Sequence, residues 1–172
     1  MLDLPHLHGA RFAHDLGASW HHYATYIVSF FTNGIIWVNH HYTFRDIARA
    51  DRTLLFLNLV LLLFVSVIPW PTGLLADNLV GDQAHAAAAL YSGVLLGMGA
   101  AYFTLNWYAA RAGLHADHVP PGAVPRLVRR NAFGQFLYVA AVPMAFISPG
   151  VSLALCGVVA LYYILPGRTV PS

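Results

Sequence analysis

The stretch WHHYATYIVSFFTNGIIWVNHH at residues 20–41 places aromatic and histidine side chains at both ends of an apolar run. It opens with Trp20-His21-His22-Tyr23 and closes with Trp37-Val38-Asn39-His40-His41. Bulky amphipathic rings at both ends of a span are typical of anchors at the two membrane interfaces. The pattern therefore predicts a transmembrane helix.

Several polar side chains of this segment fall on one side of the predicted helix. At about 100° per residue, they form a stripe roughly 80° wide. The stripe consists of His22, Tyr26, Ser29, Asn33, Trp37 and His40. Because polar groups are costly against lipid, we expect the stripe to face protein or a water path.

The composition is that of an integral membrane protein. Hydrophobic residues make up 58% of the 172 residues and charged residues 9%, whereas a soluble domain carries roughly a quarter charged residues. The mean hydropathy is +0.60. A net charge of +2 is too small to indicate a nucleic-acid partner. The lone Cys156 excludes a disulfide framework or a cysteine zinc cluster within one chain.

Five stretches have the length, roughly 17 to 25 residues, that is needed to cross a hydrocarbon core. They predict an all-α bundle that forms a single transmembrane domain over residues 1–172. Pro69, Pro71 and Pro143 predict a kink or a helix end where they occur. The predicted spans are approximately Ser19–His40, Thr53–Leu75, His85–Ala110, Arg126–Ile147 and Pro149–Leu165.

The arginines predict the orientation. They concentrate in the loops at 45–52 and 111–130, and Arg168 lies in the tail. The positive-inside rule puts these loops and the C-terminus in the cytoplasm. Five spans then leave the N-terminus outside, which is awkward without a signal peptide. A helix upstream of Met1 would remove the difficulty, so we expect that this chain lacks its first span.

A face of small residues runs along the third predicted span and contains the step from Gly93 to Gly97. Such faces let helix backbones approach closely, which is a main source of packing energy in lipid. We therefore expect Gly93 and Gly97 to pack against another helix, within the subunit or between subunits.

The ten histidines do not have the spacing of a metal site. His22 and His40 lie about 27 Å apart on a straight helix, so they cannot share an ion. The neighbours His40 and His41 diverge by about 100°. A histidine-box enzyme needs clusters on one side of the membrane, so we expect no enzyme, no cofactor and no bound metal.

The polar groups inside the predicted spans are neutral, among them Asn33, Asn58 and Gln135. Without an Asp, Glu or Arg near a span centre, a carboxylate-based proton pump has little to work with. The sequence also lacks a TVGYG-like loop, so a channel built from it must select ions without a carbonyl filter.

Successive short motifs resemble one membrane protein family. They are Val28-Ser29-Phe30-Phe31, Trp37-Val38-Asn39-His40-His41, the residues Phe44, Arg45 and Asp51, then Leu54-Leu55-Phe56-Leu57-Asn58-Leu59 and Ile68-Pro69-Trp70-Pro71-Thr72. In this order and spacing they are similar to the endosomal/lysosomal and prokaryotic potassium channels of the transmembrane protein 175 family. The resemblance covers about residues 1–112.

The resemblance implies six-helix repeats, four of them around a central pore in bacteria, and potassium conduction without a carbonyl filter. The family's first helix lines the pore and carries an Arg-x-x-x-Phe-Ser-Asp motif, which is absent here. Met1-Leu2-Asp3-Leu4-Pro5 instead resembles the end of that helix. The resemblance thus also implies a truncated pore helix.

The resemblance further implies a support network behind the pore helix. Trp37, His40 and, on the next span, Asn58 match family positions that pack or hydrogen-bond against the Ser and Asp of the absent motif, and Asn33 shares the stripe of Trp37 and His40. The expected protein is a potassium channel subunit, a homotetramer in the lipid bilayer of a bacterial plasma membrane. Two alternatives stay open: a non-conducting membrane scaffold or assembly subunit, and a metal or small-solute transporter.

Overall fold

The computed structural model describes residues 20–78, 81–120 and 122–164, and within them the chain forms six helices. The helices are α1 (Trp20–Arg45), α2 (Arg52–Val67), α3 (Pro69–Asp77), α4 (Ala84–Arg111), α5 (Ala123–Ile147) and α6 (Pro149–Ile164). Each predicted span coincides with one helix, except the second, which coincides with α2 and α3. Ser19 and Leu165, at the outer limits of two predicted spans, lie outside the described residues.

The second predicted span is divided at Ile68 because two prolines follow it. Pro69 opens α3 and Pro71 is its third residue, within the first turn, and neither nitrogen can donate to the helical ladder. The Thr72 hydroxyl donates to the Ile68 carbonyl at 2.7 Å and closes the junction. Pro143, in contrast, lies inside the continuous helix α5.

Within the described residues, two helical stretches are long and apolar enough to cross a membrane by length and composition. They are Arg52–Asp77, which joins α2 and α3, and α4. Helix α6 is apolar but shorter. Helix α1 has the length of a span but carries the polar stripe, which lowers its hydropathy.

Helix α4 is the centre of the packing and contacts α2, α3, α5 and α6. Its buried side consists largely of small residues, among them Ala88, Ser92 and Ala109. Lipid tails are as apolar as the side chains, so helices in a bilayer are held by close packing and hydrogen bonds rather than by the hydrophobic effect. Small residues along α4 make that close packing possible.

The loops after α1 and α4 are joined at one end of the bundle. Residues 46–48 lie antiparallel to residues 114–116, a contact that we call the loop clamp. Two backbone hydrogen bonds of 2.9 Å hold it, from Ala48 N–H to the Leu114 carbonyl and from Ala116 N–H to the Asp46 carbonyl. The clamp joins two loops whose flanking helix ends carry Arg45, Arg52 and Arg111.

Candidate functional site

A hydrogen bond between His40 and Asn58 ties α1 to α2. The His40 Nε2 atom lies 2.7 Å from the Asn58 Oδ1 atom. Since an amide oxygen only accepts, Nε2 is the donor in this arrangement. The opposite side of the imidazole stacks on Phe44, with ring centroids 4.5 Å apart. The histidine is thus held between a polar and an aromatic partner.

Trp37 and Asn33 line a groove between α1 and the helices α2 and α3. Ser66 and Pro69 form its other wall. The Trp37 side chain is 66% exposed and stacks on His41, with centroids 5.6 Å apart. Within the described residues, the Asn33 Oδ1 atom is buried and has no hydrogen-bond partner. The groove is therefore lined by a large indole and by an amide whose oxygen is buried and unpaired.

The predicted support network divides into two parts. His40 and Asn58 meet directly, whereas Trp37 and Asn33 face the groove without contacting that pair through a hydrogen bond or a ring contact. The other members of the polar stripe, His22, Tyr26 and Ser29, have side chains that lie outside the described part of the structure. His41 points to Trp37 rather than to Asn58.

The two glycines of α4 have different surroundings. A Cβ atom on Gly97 would overlap the Phe64 ring of α2, so a side chain at this position would require that ring to move. A Cβ atom on Gly93 would meet nothing within 4 Å. Within the described chain, Gly97 is a close contact and Gly93 faces open space.

A second polar network, which the sequence did not reveal, joins α1 to α4 and α6. The Tyr102 hydroxyl lies 2.7 Å from the Thr43 hydroxyl and 3.1 Å from the Asn39 carbonyl. The Asn39 amide donates to the Tyr163 carbonyl at 3.2 Å, close to the C-terminal end of α6. Arg130 donates to the Tyr162 carbonyl at 3.1 Å. These contacts join residues far apart in the chain. Which residues meet depends on how each helix is rotated about its axis against the others.

At the loop clamp, burial and hydrogen bonding shift two titratable groups. The Tyr108 hydroxyl donates to the Asp51 carboxylate at 2.6 Å, and the Leu54 N–H donates to it at 2.8 Å. These bonds stabilise the charged form and lower the pKa of Asp51. Burial lowers the pKa of His115 in the neighbouring loop. By contrast, the groups around His40 and Asn33 are uncharged amides and rings, which suits a structural support rather than proton chemistry.

Comparison with known proteins identifies the family. Residues 1–69 match the family model described as endosomal/lysosomal potassium channel TMEM175. A potassium channel of Streptomyces collinus is 46% identical over 152 residues, which cover 87% of this chain and 74% of that protein. This chain belongs to the TMEM175 family.

Further TMEM175 relatives agree in sequence and in fold. A potassium channel of Chamaesiphon minutus is 35% identical over 147 residues, covering 85% of this chain and 72% of that protein. The crystal structure of a lysosomal potassium-selective channel TMEM175 homologue from Chamaesiphon minutus matches with a TM-score of 0.77 and 32% identity, over 92% of this chain and 80% of that chain. The predicted family and the predicted all-α membrane bundle are confirmed, and the chain is an integral membrane protein.

Proposed function

We propose that this chain is a potassium channel subunit in which α1 and α2 support the helix that lines the pore. The names of the two sequence relatives and of the matching crystal structure support potassium conduction. The observation that carries the support role is the 2.7 Å bond between His40 and Asn58, which lies on the same helices as the groove. That bond fixes the spacing of α1 and α2 with neutral groups.

The groove suits a protein partner better than it suits acyl chains. The half-buried Asn33 amide lines the groove, and a neighbouring helix can hydrogen-bond to this amide, whereas acyl chains cannot. Trp37 offers a large flat surface next to it. A pore-lining helix with hydroxyl and carboxyl groups, as the family resemblance implies, fits both features. Potassium then passes along that helix, and no carbonyl filter is required.

The proposed assembly is four copies around one pore in a bacterial plasma membrane. In this arrangement residues 1–172 form one transmembrane domain with five spans, the loop clamp lies in the cytoplasm and the N-terminal end of α1 lies near the outer surface. Gly93, which is open within the chain, is available for packing between subunits. The proposal assigns transport and no catalytic, cofactor or metal site.

Potassium flux tests the proposal. The protein is expressed from its complete reading frame, reconstituted into liposomes, and assayed with an outward potassium gradient. We expect His40→Ala and Asn58→Ala each to reduce flux about fivefold, the effect of a hydrogen bond worth ~1 kcal/mol. The double variant should show the same potassium flux as either single variant, because both substitutions remove the same hydrogen bond.

His41→Ala is the matched control, since His41 contacts Trp37 and Tyr42 rather than Asn58. It should leave flux within about twofold of the wild type, and chelators should change nothing. Absence of potassium flux from the intact protein would refute the channel. Flux that a chelator abolishes only when His40 is present would instead indicate metal transport.

A further inference from the structure

Three arginines at the clamp end of the bundle each lie over an aromatic ring of their own helix. The guanidinium carbons are 5.0 to 5.6 Å from the ring centroids. We call these three pairs the Arg-aromatic collar: Arg45 with Tyr42, Arg52 with Phe56, and Arg111 with Trp107. The pairs lie at the C-terminal end of α1, the N-terminal end of α2 and the C-terminal end of α4. The loop clamp joins the loops that follow α1 and α4.

Each pair leaves the hydrogen-bonding edge of its guanidinium unused by the ring. A cation-π contact uses the flat face of the group, whereas its five N–H donors lie in the plane. The three rings are themselves 43 to 55% exposed. An exposed ring with a guanidinium above it is suited to the boundary between acyl chains and headgroups.

No carboxylate neutralises these arginines within the described residues. Asp51 accepts from Tyr108 and Leu54, and Asp46 is 8% exposed and lies 3.8 Å from His118. Among the described residues, the one exposed acid at this end is Asp117. In contrast, the described residues of the opposite end contain Asp77 and Asp82 and no arginine. The described part of the clamp end thus has more arginines than aspartates and a net positive charge.

We propose that the Arg-aromatic collar binds the phosphate of anionic phospholipid headgroups in the adjoining leaflet. A phosphodiester offers the paired oxygens that a guanidinium fork recognises, and its charge complements the collar. The glycerol and acyl groups then lie against the exposed rings. This inference concerns lipid binding and is independent of whether the protein conducts potassium.

Native mass spectrometry and thermal unfolding with defined lipids test the collar. The probes are phosphatidylglycerol, phosphatidylcholine and inorganic phosphate, each added to the detergent-purified protein. We expect phosphatidylglycerol to bind and to raise the unfolding temperature, phosphatidylcholine to do so weakly, and phosphate not to compete at equal concentration. The variant R45Q/R52Q/R111Q should bind phosphatidylglycerol about a hundredfold more weakly, at about fivefold per arginine.

The matched control is R49Q/R126Q/R129Q, which removes the same charge from exposed arginines of the same end that lie over no ring among the described residues. It should retain at least tenfold tighter binding than the collar variant. R45K/R52K/R111K keeps the charge without the planar fork, so its affinity for phosphatidylglycerol should lie between those of the two glutamine variants. Circular dichroism checks that each variant is helical. If both glutamine variants lost the same affinity for phosphatidylglycerol, net charge alone would explain the binding and the collar proposal would be wrong. Competition by inorganic phosphate would show a free-anion site instead.

Discussion

The outward face of α5 and the outward face of α1 and α2 differ in polarity rather than in size. Along α5 the exposed residues run from Arg126 and Arg129 at one end into a purely apolar stripe that includes Phe136, which is 68% exposed. The face of α1 and α2 exposes comparable rings, such as Phe30 and Trp37, but it also contains Asn33 with an unused oxygen.

This difference indicates which face is suited to lipid. Arginines at the interface followed by apolar residues match the layers of a bilayer, so the α5 face needs no other partner. A buried amide that lacks a partner is expensive in hydrocarbon, so the α1 and α2 face is incomplete by itself. Exposed aromatic area alone does not distinguish the two faces; the polar Asn33 side chain that lines the groove of α1 and α2 does.

The largest expected effect concerns the boundary between packed interior and open surface along α4. Gly97→Leu forces a side chain into the Phe64 ring, and overpacking of this kind costs about 1–3 kcal/mol. We expect a lower thermal transition for the purified variant. Phe64→Ala in the same chain should recover part of the loss, because it vacates the space that the leucine needs.

Gly93→Leu is the companion variant, since nothing lies within 4 Å of a Cβ at Gly93. The thermal transition of the subunit should stay close to that of the wild type. If Gly93→Leu were as destabilising as Gly97→Leu, the assignment of Gly93 to an open surface would be wrong. If Gly93→Leu changed the oligomeric state but not the thermal transition of the subunit, Gly93 would lie between subunits.

The sequence predicts local features well and the partners of polar groups poorly. Apolar length located the helices, and Pro69 with Pro71 marked the position where the second span is divided. The stripe predicted that His40 faces protein or a water path without naming its partner, which in the structure is Asn58. In contrast, nothing in the sequence indicated that the Tyr163 carbonyl accepts a hydrogen bond from the Asn39 amide.

Long-range geometry accounts for what was missed. Helical periodicity fixes the angle between residues of one helix, but it contains no information about how that helix is rotated against a distant one. The Asn39 contact with α6 and the loop clamp depend on that rotation. The motifs of the TMEM175 family supplied part of the missing information for α1 and α2, where the quoted motifs are densest.

A smaller effect is expected from Asn33→Leu. If the groove receives a neighbouring helix, the substitution removes a hydrogen bond between helices, typically ~0.6–2 kcal/mol, and weakens the oligomer. The oligomeric fraction is measured by energy transfer between labelled subunits as the protein is diluted in lipid. Phe136→Leu, on the α5 face, is the control and should leave assembly unchanged. An Asn33→Leu protein that assembles normally and unfolds at a higher temperature would place this face in lipid as well.

The smallest effect is expected at Asp51, which lies in the loop before α2 and belongs to neither face. Tyr108 and Leu54 lower the pKa of its carboxyl group in the folded protein, so the folded state holds this proton less tightly than the unfolded state. The resulting stability is present above the ordinary aspartate pKa of about 4 and is lost as the pH falls through the lower folded value. Tyr108→Phe removes the larger of the two causes and should flatten the dependence of the unfolding temperature on pH. The difference in unfolding temperature between wild type and variant should therefore be greatest above about pH 4 and shrink below it.

Tyr162→Phe is the control, because the Tyr162 hydroxyl donates no hydrogen bond among the described residues, and it should follow the wild-type curve. If the unfolding temperature of Tyr108→Phe stayed below that of the wild type by a constant amount into strong acid, the Tyr108 hydroxyl would act through packing instead.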